Sequence, residues 1–146
     1  MLVKLLPDQV SDHWDEISLA IRQALPPFVA NSDRSMVNIL KAILGGDMHC
    51  WILYSSDDTG ESIYAVMTTK VEIDEISGTK CLLIYSAYAN KPLVNHLVTS
   101  GFETLKKFAS SERCFKIIAY TNIPKMGQLW ESLGGVAETR LLELEV

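Results

Sequence analysis

Long apolar runs are missing from this sequence of 146 residues. None approaches the roughly 18 unbroken apolar residues of a membrane-spanning helix, and the opening "MLVKLLPDQV" meets Pro7 and Asp8 well short of a signal-peptide core. The expectation is a soluble, cytoplasmic protein with no membrane partner. Clustered positive charge is missing too: 13 Lys and Arg stand against 18 Asp and Glu, for a net charge of −5, and the densest basic site is the pair Lys106 and Lys107. Scattered cations make no footprint for a phosphate backbone, so nucleic acid is excluded as a partner. Cysteine is scarce. Cys50, Cys81 and Cys114 lie far apart in "HCWILY", "KCLLIY" and "RCFKII", where reduced, buried thiols are expected. There is no C-x-x-C, and His13, His49 and His96 share no spacing, so no metal site is expected.

What is present is an ordinary globular composition, 48% hydrophobic and 21% charged, which points to a single domain over residues 1–146. A domain near this size removes roughly 70% of its unfolded surface from water, so it needs neither disulfides nor a structural metal. The order of elements can be read along the chain. A short strand, "LVKLL", precedes "SDHWDEISLAIRQAL", in which Trp14, Ile17, Ile21 and Leu25 recur at helical spacing, Ser11 is the expected N-cap, and Pro26-Pro27 ends the helix. A second helix follows in "SMVNILKAILGG", closed by Gly45-Gly46.

Three strands then form a meander. "MHCWILYSS" turns at "DDTGES" into an alternating run, with Ile63, Ala65, Met67, Thr69, Val71 and Ile73 on one face. Tyr64, Val66, Thr68, Lys70, Glu72 and Asp74 take the other, expected to be the wetter. "ISGT" turns again into "CLLIYSAYA", whose unbroken apolar character predicts a strand covered on both faces. From Pro92 the period changes, and Val94, Leu97, Val98, Gly101, Phe102, Leu105 and Phe108 mark the longest helix. A strand "CFKIIAYTN", a helix "IPKMGQLWESLGG" and a last strand "VAETRLLELEV" complete the order β-α-α-β-β-β-α-β-α-β.

That order, and the segment "AYTNIPKMGQLWESLGG" with Asn122, Leu129, Trp130, Leu133 and Gly134 at matching places, resembles the GNAT N-acetyltransferase superfamily over essentially the whole chain. The resemblance implies an α+β fold: a mixed, mostly antiparallel sheet flanked by helices. In it the strands "LLIYSAYA" and "FKIIAYTN" start as parallel neighbours and part at their carboxyl ends. Acetyl-CoA or another acyl-CoA would lie in the opening, its amide-bearing arm pairing with the separated strands as an added strand does. The family's loop after the first of these strands carries glycines that let backbone amides approach a pyrophosphate. Here the loop is "YANKPLVNHL", with no glycine and no arginine; Lys91 offers one charge, and the amides of Leu93, Val94 and Asn95 are the expected donors.

The resemblance also implies a chemistry: acyl transfer to an amine or protein acceptor. It needs a donor to the thioester carbonyl, for which the backbone near Ala87 or Tyr88 serves, and a proton for the departing thiolate. The family's usual tyrosine is replaced by Trp130, leaving Tyr120 and Tyr88 as candidate proton donors, with Asn122 and Trp130 as expected cofactor contacts. Glu72 and Asp74, two apart on a strand, are the candidate base pair. Two functions stand open: an acyl-CoA-dependent N-acyltransferase acting on an unidentified amine, or a noncatalytic GNAT-like domain that binds protein and holds no cofactor. With only eleven residues after Gly135 and "LLELEV" expected at a sheet edge, a homodimer is expected through that edge.

Overall fold

The computed structural model of the chain describes residues 1–57, 60–121 and 123–146, the side chain of Asp57 apart. Its elements are β1 (Leu2–Lys4), α1 (Pro7–Asp12), α2 (Trp14–Arg22), α3 (Asp33–Leu44), β2 (Met48–Asp57), β3 (Gly60–Ile73), β4 (Lys80–Ala89), α4 (Asn95–Ser111), β5 (Lys116–Ala119) and α5 (Pro124–Ser132). One five-stranded sheet runs β1-β2-β3-β4-β5, antiparallel throughout except for the parallel pair β4 and β5. This is the mixed, mostly antiparallel α+β architecture expected from the sequence.

Each face of the sheet has its own core. Under α1, α2 and α3, Val10, Ile17, Ile21, Met36, Ile39 and Ile43 pack on Met48, Cys50 and Val66. On the other face α4 lays Leu97, Leu105 and Ala109 over Trp51, Leu53 and Leu82. Leu82 and Leu83, neighbours on β4, are both buried, which is how a strand covered on two sides must read. Each such fully buried side chain contributes about 1.5–3 kcal/mol.

Three expectations are corrected. The first helix is two: Pro7 starts α1 five residues early, with Gln9 Oε1 accepting from the Leu6 N–H at 2.8 Å, and the chain bends at His13 before α2. Ser11 therefore lies inside a helix and caps nothing. The supposed wetter face of β3 is covered in its middle, where Val66 and Thr68 are buried; Tyr64, Lys70 and Glu72 stay half-exposed, with Lys70 and Glu72 paired at 3.1 Å, and Asp74 is exposed. Finally, residues 136–146 form no strand. Their alternation has the right period, but a strand exists only where an edge accepts it, and none does here.

Candidate active site

Two register shifts in the meander shape its open end. Opposite Leu53 and Tyr54, β3 carries Tyr64 as an extra residue; opposite Thr68 and Thr69, β4 carries Tyr85. Such bulges bend a strand and sharpen its twist. The second shift falls where the parallel ladder stops. β4 and β5 pair from Cys81↔Lys116 to Ile84↔Ala119 and no further, while β4 continues beside β3 through Ala65↔Ala89. The ladder therefore stops where the resemblance implied that the two strands would separate. Directly after the bulge, Thr68 Oγ1 and Ser86 Oγ meet at 2.6 Å, both buried, and tie the departing end of β4 to β3.

Backbone direction past the bulge follows from one bond. The Asn90 N–H donates to Tyr64 O at 2.7 Å, so Asn90 faces β3, and strand alternation makes Tyr88 do the same. Ala87 and Ala89 then turn their N–H and C=O toward the side β5 has left. Of Ala87 and Tyr88, only Ala87 turns its N–H to that side.

Two tyrosines border the opening. Tyr88, 37% exposed, pairs with Val66 and shares its face, the one covered by α1–α3; Tyr120, 48% exposed, follows β5 directly. Phe28 meets the Tyr120 ring edge-on at 5.4 Å. Its loop is closed at the base by Arg22, which donates to Asn31 Oδ1 at 2.8 Å and to Asp33 Oδ1 at 2.6 Å. Sequence reading missed Phe28, although an aromatic after Pro26-Pro27 in a loop between helices was a usable signal. It missed Tyr85 too, whose hydroxyl is pushed above its ordinary pKa by burial and then by Glu72. A cavity of about 750 Å³ runs from Val29 and Tyr85 along Ile39 toward His49 and Lys80.

The phosphate side is less well provided. Lys91 follows β4, but its ammonium lies 5.3 Å from the Tyr64 ring centroid. Leu93 and Val94 precede the helix and are exposed; α4 begins at Asn95, and Val94 O accepts from Leu97 and Val98 at 3.1 and 3.2 Å. The unclaimed first-turn amides are therefore those of Asn95 and His96, the latter missed because Pro92 reads as a helix start. No side chain caps this end of α4.

The remaining expected residues are not brought to the opening. Glu72 pairs with Cys81 at the start of β4, roughly 23 Å of strand from Tyr88. Asp74 lies beyond β3, where its Oδ1 accepts the Ile76 N–H at 2.8 Å in a turn. Neither can take a proton in the opening. Trp130 stands edge-on to Phe102 of α4 at 5.4 Å and fixes α5 to α4. A Cβ on Gly135 would sit 2.7 Å from Trp130 Nε1. Asn122 lies outside the described residues. Among the described residues no three His, Cys, Asp or Glu side chains gather to hold a metal, and no helix is long and apolar enough to cross a membrane.

No protein-family model matches the chain, and no curated protein matches it in sequence. Solved structures do. An acetyltransferase of Trypanosoma brucei superposes with a TM-score of 0.65 at 18% identity, covering 100% of this chain and 99% of that one. Glucosamine-6-phosphate N-acetyltransferase from Arabidopsis thaliana gives 0.65 at 15% identity over 99% and 97%. AAC(6')-Iy, in complex with the bisubstrate analog CoA-S-monomethyl-acetylneamine, gives 0.69 at 12% identity over 100% and 97%. The chain has the GNAT N-acetyltransferase fold along its whole length.

Proposed function

We propose that the chain is an acyl-CoA-dependent N-acyltransferase whose acyl donor lies between β4 and β5. One observation carries the reading: the ladder ends at Ile84↔Ala119 while β4 runs on to Ala89 with one side unpaired. Backbone groups left open beside an apolar strand need partners, and a chain of amides supplies them. The uncapped start of α4 fits a phosphate, with the Asn95 and His96 amides and Lys91 beside it. Bound acyl-CoA supplies an activated thioester.

The chain's own groups then have defined tasks. The Ala87 N–H donates to the carbonyl oxygen on which charge develops. An acceptor amine, neutral when it attacks, forms the new C–N bond as the C–S bond breaks. Tyr120 or Tyr88 gives its phenolic proton to the leaving sulfur as the C–S bond breaks, and the proton that the acceptor nitrogen sheds passes to solvent water, from which the phenol is reprotonated. A cytoplasmic location agrees with three unpaired thiols, of which Cys50 is pushed to about 12 by burial.

A second reading has its own observation. The loop lacks glycine, and the Lys91 ammonium is engaged over Tyr64, which favours a domain that keeps the fold and binds protein without cofactor. Titration calorimetry with acetyl-CoA separates the two. Binding with measurable heat is expected; no heat at millimolar ligand overturns the enzyme reading and leaves the second.

A further inference from the structure

An acceptor amine attacks only when neutral, and the carboxylates and imidazoles around the opening stand away from it. Among the described residues, β4 and β5 carry no Asp, Glu or His. On β3, Glu72 lies toward the far end, and Glu61 is roughly 16 Å of strand beyond Val66, the partner of Tyr88. Asp33 is taken by Arg22 at 2.6 Å, His96 stands in the first turn of α4, and Glu131 is in the last turn of α5.

The side from which an acceptor comes is apolar. A phosphate at the start of α4 brings the acyl donor in from the α4 face, so the acceptor meets it from the face of α1–α3, where Tyr88 stands. Phe28 and Tyr120, ring to ring at 5.4 Å, are 54% and 48% exposed. Leu53 packs under α4, so Tyr54, and Ile63 across from it, take the face of α1–α3, where Ile63 is 42% exposed. Exposed apolar side chains gathered at one place mark a binding surface. Two cations near this end are already engaged, Arg22 with Asn31 and Asp33 and Lys91 over the Tyr64 ring.

We propose that the acceptor is the α-amine of a polypeptide whose first residue is apolar, an inference that rests on the acyltransferase reading. Protonation is the reason. A peptide's α-amine, with a pKa of about 7.7–8.0, is roughly one-third neutral at about pH 7.5, whereas a lysine amine near 10.4 is neutral about once in a thousand. An acceptor that carries its own neutral amine needs no base from the chain. Its nitrogen forms the C–N bond as the C–S bond breaks, the phenol of Tyr120 or Tyr88 protonates the sulfur, and the proton shed by nitrogen leaves to water. A free amino acid would bring a carboxylate beside its amine, with Arg22 and Lys91 both engaged. A peptide replaces that carboxylate with an amide, and an apolar first side chain covers the surface around Phe28, Tyr120 and Ile63.

Three peptides test this with the full chain and acetyl-CoA, thiol release being followed: Leu-Gly-Gly-Ser and Asp-Gly-Gly-Ser with free α-amines, and an Nα-acetylated peptide with a single lysine. At about pH 7.5 the first is expected to exceed the lysine peptide roughly 100-fold or more in kcat/KM, and the second roughly tenfold. Its rate is expected to level off above about pH 8.5, while any rate with lysine keeps rising. A lysine peptide that matches the free α-amine, an Asp-first peptide that matches the Leu-first one, or transfer to none of the three while acetyl-CoA binds overturns the inference and leaves the acyltransferase reading standing. Calorimetry without acetyl-CoA heat removes both.

Discussion

At the scale of residues, the opening between β4 and β5 presents two phenols with different surroundings. Tyr120 is braced by Phe28 from a loop that Arg22 closes, whereas Tyr88 stands on β4 next to the backbone assigned to the carbonyl. Removing a general acid slows acyl transfer roughly 100-fold or more without loss of fold. Turnover of Tyr120→Phe and Tyr88→Phe, followed with melting temperature, is therefore expected to single out one of them. Unchanged turnover in both removes tyrosine from the mechanism. Both were legible in the sequence as aromatics ending strands. Phe28 was not placed, because its position depends on two ionic and polar bonds that bring distant residues together. Glu72 was legible as a carboxylate but misplaced, since strand periodicity tells which face a residue takes and not which end of the sheet.

Helix α4 shows how an element can be less stable than its sequence allows. Its N-terminus has Val94 where a capping side chain belongs, and no acidic residue in its first turn. Val94→Ser supplies the missing acceptor and is expected to stabilise the fold by about 1 kcal/mol. The same hydroxyl occupies amides that a phosphate would use, so acetyl-CoA affinity is expected to fall severalfold. Calorimetry and thermal melting on one variant read both effects; tighter binding would place the nucleotide elsewhere. The three-strand meander and the long helix were evident from period alone. The bulges at Tyr64 and Tyr85 were not, because a bulge is a mismatch between two strands and neither strand shows it by itself.

For the molecule as a whole, one half-buried base couples stability to pH. His49 is held below its ordinary 6.5 by burial first and by Lys4 second, against Glu112 and its contact with Thr69. In the unfolded chain it titrates near 6.5, so below that pH the unfolded state binds a proton that the native state refuses. Stability is expected to fall as pH drops through 6.5 and to level off below the native value. His49→Gln should lessen the decline in melting temperature between about pH 7 and about pH 5; an equal decline in both proteins assigns the effect to other groups. The amino-acid sequence by itself determined the class of fold, because apolar periods of two and of three to four, cut by Pro and Gly, are local properties. Only the tertiary structure decided where β4 leaves β5, which backbone amides that parting exposes, and that the tail from Glu138 to Val146 stays unpaired. Each of these depends on which strand edges meet, and a pairing energy belongs to two segments at once.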